Sequence, residues 1–162
     1  MGFSLAEISA ATGGSISGRA GLFFPRVAID SRCVQPGDLF VAIPGERYDG
    51  HQFVPAAIAA GARGVMVARE LAIPPGIGVV LVPDTIRALG ALARFHRRRF
   101  DLPVVAVTGS TGKTSTKEMI AAVGAIRRRV ARTSGNQNNE IGLPLTLLGL
   151  SADDELLVVE MG

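Results

Sequence analysis

Residues 104–116 read VVAVTGSTGKTST, in which four apolar residues run into a loop that is bounded by glycines and ends in Lys113 and Thr114. The apolar run is typical of a buried parallel strand, and the loop opens a helix whose N-terminal amide groups attract an anion. Lys113 is in the position that reaches the terminal phosphates of a nucleotide, and the Thr114 hydroxyl is the expected ligand of a bridging magnesium ion. The stretch therefore predicts a strand, a phosphate-binding loop and a helix, in that order.

One position departs from the general phosphate-loop pattern, because Val107 stands five residues before Gly112, where that pattern has its first glycine. An ordinary turn between a strand and a helix is therefore the alternative to a nucleotide site. The sequence after the loop favours the nucleotide site, since its apolar residues recur at helical spacing and predict an amphipathic helix. These apolar residues are Met119, Ile120, Val123 and Ile126.

The composition sets the outer limits of the fold. The chain has 162 residues, 48% of them hydrophobic, and can bury the core of one domain or of two small ones. No apolar run reaches the roughly 18 residues of a membrane span, and the N-terminus, MGFSLAEISA, lacks the basic region of a signal peptide. We expect a soluble cytoplasmic protein. The single cysteine, Cys33, excludes an internal disulfide and a cysteine-cluster metal site, and we interpret it as a small apolar filler.

The net charge of +3 and the pI near 9.7 suggest nucleic-acid binding as a second alternative. The arginine runs at 97–99 and 127–129 carry much of this charge, but both fall at the ends of predicted helices, where the helix dipole favours cations. With one Tyr and no Trp, the chain has no aromatic pattern for stacking bases, and we expect no nucleic-acid partner. His96, beside the first run, is expected to be structural or solvent-facing.

The apolar periodicity and the turn residues predict an α/β fold. Predicted helices cover 5–11, 52–60, 84–99 and 144–148, and predicted strands cover 23–29, 38–43, 64–67, 79–82, 104–107, 130–133 and 155–160. Alternation of this kind favours parallel sheets. We expect a small α/β domain over 1–83, a connecting helix over 84–100, and the first part of a parallel-sheet phosphate-loop domain over 101–162. Three strands are few for such a domain, which suggests a fragment of a longer enzyme.

Two polar clusters accompany the phosphate loop. The first is IDSR at 29–32 with PGDLFVAIPGERYDGH at 36–51, and the second is TSGNQNNEIG at 133–142. A turn held by its own side-chain hydrogen bonds is the alternative for the first cluster, and a solvated loop is the alternative for the second. The second cluster follows a predicted parallel strand, and ligands of open α/β sheets bind at such strand ends.

Taken together, the segments IDSR, GDLFVAIPGERYDGH, TGSTGKTS, GNQNNEIGLPLTLL and VVEMG resemble, in order and spacing, the N-terminal part of a Mur ligase. The resemblance covers essentially the whole chain. It implies a small N-terminal α/β domain that binds the UDP end of the substrate, followed by the first part of the ATPase domain. The last two segments favour the family member that adds D-alanyl-D-alanine over the one that adds the third amino acid of the peptide.

The resemblance also implies roles for individual residues. The residues that would contact the UDP-linked substrate are Ser31, Glu46, Arg47 and Tyr48, with Asn136, Asn138 and Asn139 near its peptide end. The residues that would hold ATP are Gly109, Ser110, Thr111, Gly112, Lys113, Thr114 and Ser115. Lys113 would be catalytic, and Thr114 and Glu160 would be the ligands of Mg²⁺, which suits a carboxylate at the end of a neighbouring parallel strand.

The implied activity is the ATP-dependent joining of D-alanyl-D-alanine to UDP-N-acetylmuramoyl-tripeptide through an acyl phosphate, in peptidoglycan synthesis. We expect a monomer that is inactive without the rest of the enzyme. Two alternatives stay open at this point: another amide ligase, above all the Mur ligase that adds the third amino acid, and a module that binds a UDP-sugar or a nucleotide without turnover.

Overall fold

The computed structural model describes residues 2–19, 21–45, 47–135 and 137–162. The chain divides into two compact units, Met1–Leu92 and Ala93–Gly162. Both units combine strands of a largely parallel sheet with helices, which confirms the predicted α/β class. Among the described residues, every helix is too short or too polar to cross a membrane.

The first unit is built around a five-stranded sheet. Its strands are β1 (Phe3–Ser4), β2 (Ser15–Ser17), β3 (Phe23–Phe24), β4 (Val27–Ala28), β5 (Leu39–Val41), β6 (Gly64–Val67) and β7 (Gly78–Leu81), and its helices are α1 (Leu5–Thr12) and α2 (Val54–Ala59). A further helix, α3 (Thr85–Arg97), begins in this unit and ends in the second. The main sheet has the order β2-β7-β6-β5-β4, in which only β2 is antiparallel to its neighbour, while β1 and β3 form a separate antiparallel pair. The carboxyl ends of β4, β5 and β6 therefore lie at one edge of the sheet.

Short polar motifs fix the helix ends in this unit. Ser4 and Glu7 form a capping box at the start of α1, and Gly13 ends that helix with φ 71°, a left-handed conformation that favours glycine. Asp84 caps α3, since its carboxylate accepts hydrogen bonds from the amides of Ile86 and Arg87 at 2.8 and 3.0 Å.

Three details of the first unit correct the sequence prediction. The strand predicted over 23–29 is two short strands, because Pro25 between them has no amide hydrogen for a sheet ladder. The glycine-rich stretch before it contains β2, which pairs with β7 and was not predicted. Cys33 is exposed, so its interpretation as an apolar filler is wrong. It lies in a 3-10 turn, Ser31–Cys33, at the surface.

The second unit has one sheet of three parallel strands. Its elements are β8 (Val104–Val107), α4 (Lys113–Gly124), β9 (Val130–Arg132), α5 (Gly142–Leu148) and β10 (Leu156–Glu160). The strand order is β8-β10-β9, which confirms the predicted parallel sheet. All five residues of the central strand β10 are buried, and Glu160 lies opposite Val107, the last residue of β8. The end of β10 therefore faces the loop that follows β8.

The amphipathic face predicted for α4 is wrong for three of its four residues, and only Ile120 packs, partly buried, against the core of the second unit. Met119, Val123 and Ile126 are 64%, 69% and 76% exposed. The helix packs instead through Ala121, which forms a cluster with Leu156 and Val158 of the central strand. Gly124 completes this face, because a Cβ there would lie 2.7 Å from a Leu156 methyl group. Small residues thus set the approach of the helix to the sheet, and apolar spacing alone did not identify them.

His96 near the end of α3 is structural, one of the two roles expected for it. Its ring is fully buried, lies edge-on to Phe100 at 5.0 Å, and makes a 3.0 Å hydrogen bond between Nε2 and the Leu150 carbonyl. Burial lowers the pKa of the imidazole, which favours its neutral form. His96 therefore belongs to the packing of the second unit and lies away from the loop that follows β8.

Candidate functional site

Glycines shape the loop that joins β8 to α4. Gly109 has φ 145° and Gly112 has φ 73°, and an added Cβ at either position would meet no atom within 4 Å. Their positive φ angles favour glycine, and the open space beside them leaves the loop backbone accessible. Since α4 begins at Lys113, its unpaired N-terminal amides lie at this loop, as an anion site requires.

Lys113 lies over this loop at the first position of α4. Its Nζ donates a 2.7 Å hydrogen bond to the carbonyl oxygen of Gly109. This bond holds the ammonium group on the same side as the N-terminal end of the helix. The positive charge and the helix dipole therefore act in the same place, which favours a strongly negative ligand.

Glu160 joins the end of β10 to the start of α4. The Thr114 hydroxyl donates to Glu160 Oε2 at 2.9 Å, and Asn138 Nδ2 donates to the other carboxylate oxygen, Oε1, at 2.9 Å. The hydrogen bond from Thr114, helped by that from Asn138 and by the charges of Lys117 and Lys113, lowers the pKa of Glu160. Glu160 is therefore ionised at neutral pH although only 3% of its surface is exposed.

These groups surround one cavity of about 300 Å³. It is lined by Ser110, Thr111, Gly112, Lys113, Thr114, Ser115, Asn138 and Glu160. The structure thus brings together the predicted loop, the predicted carboxylate and one of the three asparagines. Asn136 lies outside the described residues. Asn139 is not among the residues that line this cavity. Its carboxamide oxygen accepts a 2.7 Å hydrogen bond from the Gly142 amide at the start of α5.

The donor atoms in this cavity fit a magnesium ion. A hydroxyl and an ionised carboxylate are the hard oxygen ligands that Mg²⁺ prefers, and they lie within hydrogen-bonding distance of each other. No cluster of three or more acidic, His or Cys side chains occurs in the part of the chain that the structure describes. Phosphate oxygens and water commonly complete the coordination of a magnesium ion that is bound with a nucleotide.

Two further residues contact this site, and neither was assigned a role from the sequence, although Thr133 begins the polar cluster at 133–142. Lys117 is fully buried on α4 and donates to the backbone carbonyl of Thr133 at 2.8 Å. The Thr133 hydroxyl accepts from the backbone amide of Glu160 at 3.0 Å. The spacing of four residues between Lys113 and Lys117 places both on one side of the helix, and this was the available signal.

The first unit carries a second cavity, of about 620 Å³. It is lined by Ile29, Asp30, Ser31, Arg32, Phe40, Ile43, Tyr48, Gly50 and Phe53. Two of the predicted substrate residues, Ser31 and Tyr48, lie in this lining. Arg47 is exposed and outside the described lining, and Glu46 lies outside the described residues. Tyr48 is 69% exposed and lies edge-on to Phe53 at 6.3 Å, so one wall of the cavity is aromatic.

Asp30 holds the turn that presents Ser31. Its carboxylate accepts from the Arg32 amide at 2.9 Å and pairs with the Arg32 guanidinium at 2.7 Å. These contacts lower the pKa of Asp30 to about 2. The alternative of a locally bonded turn therefore describes Asp30 and Arg32, although both also line the cavity together with Ser31. A strand-end Asp-Ser-Arg here combines both roles, because the local bonds orient the central residue.

Asp49 and His51 anchor the segment that follows Tyr48. His51 Nε2 accepts from the Ala68 amide at 2.8 Å, so the ring proton lies on Nδ1 and is donated to Asp49 at 2.6 Å. The other oxygen of Asp49 pairs with Arg69 at 2.8 Å. The segment is thus tied to the end of β6, a role that no sequence pattern around Asp49 or His51 predicted.

We predict that Asp49 makes the first unit sensitive to acid. The hydrogen bonds from the His51 amide and ring, with the contact to Arg69, lower the pKa of Asp49 from 3.8 to about 2. A carboxylate with a lowered pKa in the folded state stabilises the protein above the unfolded pKa, and this contribution disappears as the pH falls from about 4 to about 2. The urea midpoint of the wild type should therefore fall more steeply over this range than that of Asp49→Asn.

The control for this prediction is Glu70→Gln, which removes an exposed acid from the same unit. Urea unfolding is measured for all three proteins at closely spaced pH values. A slope in Asp49→Asn equal to that of the wild type would contradict the assigned contribution.

Comparison with known proteins gives a consistent result. Residues 107–162 match the model of the Mur ligase middle domain, and residues 25–123 match the model described as Mur ligase family, catalytic domain. A UDP-N-acetylmuramoyl-tripeptide–D-alanyl-D-alanine ligase of Synechocystis sp. is 46% identical over 136 residues, which are 83% of this chain and 30% of that protein. The protein of the same name from Escherichia coli is 41% identical over 159 residues, 98% of this chain and 34% of that protein.

Solved structures agree with the sequence comparison. MurF from Acinetobacter baumannii superposes with a TM-score of 0.93 at 34% identity, over 100% of this chain and 36% of that one. MurF ligase from Thermotoga maritima, solved in complex with ADP, gives a TM-score of 0.77 at 40% identity, over 84% of this chain and 31% of that one. The chain thus spans about a third of the length of the relatives that it matches.

Proposed function

We propose, from the premise that this chain belongs to the Mur ligase family, that it provides the UDP-substrate unit and the nucleotide site of a ligase that adds D-alanyl-D-alanine to UDP-N-acetylmuramoyl-tripeptide. The observation that carries the proposal is the convergence of Lys113, Thr114 and Glu160 on one cavity beside a glycine-shaped loop. We assign 1–83 to the substrate domain, 84–100 to a connecting helix and 101–162 to the ATP-binding domain.

ATP is the proposed phosphoryl donor at this cavity. A carboxylate is a poor electrophile, so an oxygen of the tripeptide carboxylate attacks the γ-phosphorus of ATP, the bond to the β-phosphate oxygen breaks, and ADP leaves. The amine of D-alanyl-D-alanine then attacks the acyl carbon, loses a proton and displaces phosphate. Lys113 and the amides at the start of α4 offset the negative charge of the transferred group.

Magnesium is the proposed metal, held by Thr114 and Glu160 together with phosphate oxygens. The ion would supply the largest local positive charge for phosphoryl transfer. The low pKa of Glu160 supports this assignment, since an ionised carboxylate binds the ion without first losing a proton. Asn138 fixes the orientation of that carboxylate through its 2.9 Å hydrogen bond.

The cavity of the first unit is the proposed site for the UDP end of the substrate. Its aromatic wall, Tyr48 and Phe53, suits the flat uracil ring, and Ser31 offers a hydroxyl to the ribose or diphosphate. Arg47 is also proposed to contact the ligand, and the same role is proposed for Glu46, which lies outside the described residues. Because the reaction uses ATP, we propose that the enzyme acts in the cytoplasm. We also propose that it acts as a monomer.

We expect the Ser31→Ala variant to bind UDP-N-acetylmuramoyl-tripeptide about tenfold more weakly than the wild type, since one hydrogen bond to a charged or polar ligand group is lost. Isothermal titration of the 162-residue chain measures this, with UDP alone and ATP with Mg²⁺ as parallel titrants. The matched control is Cys33→Ser, which changes an exposed residue of the same turn outside the cavity lining.

Saturable binding of the UDP ligand that weakens in Ser31→Ala and persists in Cys33→Ser would support the proposed substrate domain. A folded wild type that binds none of the UDP ligands would overturn it. Binding of UDP-sugars of unrelated structure with equal affinity would instead favour a general nucleotide-binding module.

A further inference from the structure

Lys117 is a buried cation that the proposed chemistry does not use. Its side chain has 0% exposure, and its Nζ contacts the Thr133 carbonyl at 2.8 Å and Glu118 Oε1 at 2.9 Å. Removing an ammonium group from water is costly, and one ion pair with a partly exposed acid offsets only part of this cost. An apolar side chain would fill the same space on α4 more favourably, so stability alone does not account for a lysine here.

The contacts of Lys117 lead to the proposed metal ligand. Lys117 fixes the carbonyl of Thr133, at the end of β9, and the hydroxyl of the same threonine accepts from the Glu160 amide at 3.0 Å. Glu160 in turn accepts from Thr114 at 2.9 Å. These contacts form a continuous path from Lys117 to Thr114. The path starts and ends on α4 and passes through the ends of β9 and β10.

A second contact strengthens the same path. Glu118, beside Lys117 on α4, also pairs with Arg132 of β9 at 3.0 Å. Lys117 and Glu118 thus bind two successive residues of the chain, Arg132 and Thr133. Thr133 is completely buried, so its hydroxyl has a fixed environment in which to hold the Glu160 amide.

We infer that Lys117 is a positioning residue for Glu160: by fixing Thr133 at the end of β9 it holds the Glu160 backbone, and so places the carboxylate where it binds a magnesium nucleotide. The inference deepens the proposed function and rests on the assignment of Thr114 and Glu160 to Mg²⁺. Lys117 does not touch the cavity, and therefore acts through Thr133 and Glu160 rather than on the nucleotide itself.

The first test needs no nucleotide. Amide hydrogen exchange is compared in wild type and Lys117→Met, which keeps the length of the side chain and removes its charge and donors. We expect faster exchange at Glu160, whose amide is bound to Thr133, and unchanged exchange at Leu157, whose amide is bound to Pro103 at the other end of β10. Equal protection at Glu160 in both proteins, or an equal loss at both amides, would overturn the inference.

The second test measures the benefit of magnesium. The Kd of ATP is determined with Mg²⁺ and again with EDTA, and the ratio of the two values isolates the contribution of the metal. In Lys117→Met we expect magnesium to improve ATP binding about tenfold less than in the wild type, which is the size of effect seen when a residue that orients a metal ligand is lost. The Kd of ATP in EDTA should stay unchanged. Lys117→Arg should restore part of the ratio, because it keeps a charged donor.

A pair of variants at Thr133 covers the case in which Lys117→Met does not fold. Thr133→Val removes the hydroxyl and keeps the shape, whereas Thr133→Ser keeps the hydroxyl. Only the valine variant should lose the magnesium benefit and the protection at Glu160. Equal behaviour of the two would overturn the inference. A wild type that binds no ATP would contradict the proposed nucleotide site, and the exchange data would still decide the positioning by Lys117.

Discussion

Lys113→Ala is expected to weaken the binding of ATP with Mg²⁺ by about 100-fold, because a charge-assisted hydrogen bond to a phosphate contributes about 1.5–3 kcal/mol. Lys113 lies at the first position of α4, and its ammonium group is held over the loop by the Gly109 carbonyl. Alanine favours helix, so the variant keeps the start of α4 and loses only the charge and its donors.

Isothermal titration with ATP and Mg²⁺ measures this effect. The control is a second ligand: the cavity around Ser31 belongs to the first unit, so binding of UDP alone should be unchanged in Lys113→Ala. Lys113→Arg should recover part of the ATP affinity, because arginine keeps the charge but presents it in a different geometry. Unchanged ATP binding in Lys113→Ala would exclude this loop as the nucleotide site.

Glu160→Gln is expected to reduce the magnesium-dependent part of ATP affinity by about 100-fold. Loss of a residue that orients a metal ligand typically costs about 10- to 100-fold in metal affinity, and Glu160 is a proposed ligand itself, so we expect the upper end of this range. The substitution suits the site. The glutamine carbonyl can still accept from Asn138, and its amino group can donate to the Thr114 oxygen once that hydroxyl rotates. The variant therefore removes the charge and keeps the local packing.

The measurement is the ratio of the ATP Kd values in EDTA and in Mg²⁺. Glu155→Gln is the matched control, because Glu155 is an exposed acid just before β10, at the end of the strand away from the loop. The control should retain the ratio of the wild type. If Glu160→Gln also retained it, the metal would have to bind elsewhere, and the assignment of Thr114 and Glu160 would be wrong.

Local patterns in the sequence predicted most of the fold. The strand over 64–67 has the predicted bounds, and the strand, loop and helix order around Lys113 is as expected. Such features depend on neighbouring residues: an apolar run, a glycine with positive φ, or a cap such as Asp84. The approach of Glu160 to Thr114 was also expected, because parallel strands end at one edge of a sheet.

Features that depend on the packing of distant segments were harder to predict. The helical spacing of Met119 and Val123 indicated an apolar face, but the side of α4 that packs against the sheet is set by Ala121 and Gly124, whose size permits close approach. Asn139 illustrates the same limit at the site. Its side chain lies at the start of α5, while its neighbour Asn138 reaches Glu160.

The sequence by itself determined the α/β class, the parallel sheet of the second unit, the strand, loop and helix order around Lys113 and the family resemblance, because each follows from residue types at short, fixed spacings. Only the tertiary structure decided which side chains meet. It buried Lys117 beneath Glu160, tied Asp49 to His51 and Arg69, and exposed Cys33. The physical reason is that these contacts depend on how distant segments pack, whereas a sequence pattern records only what each segment favours locally.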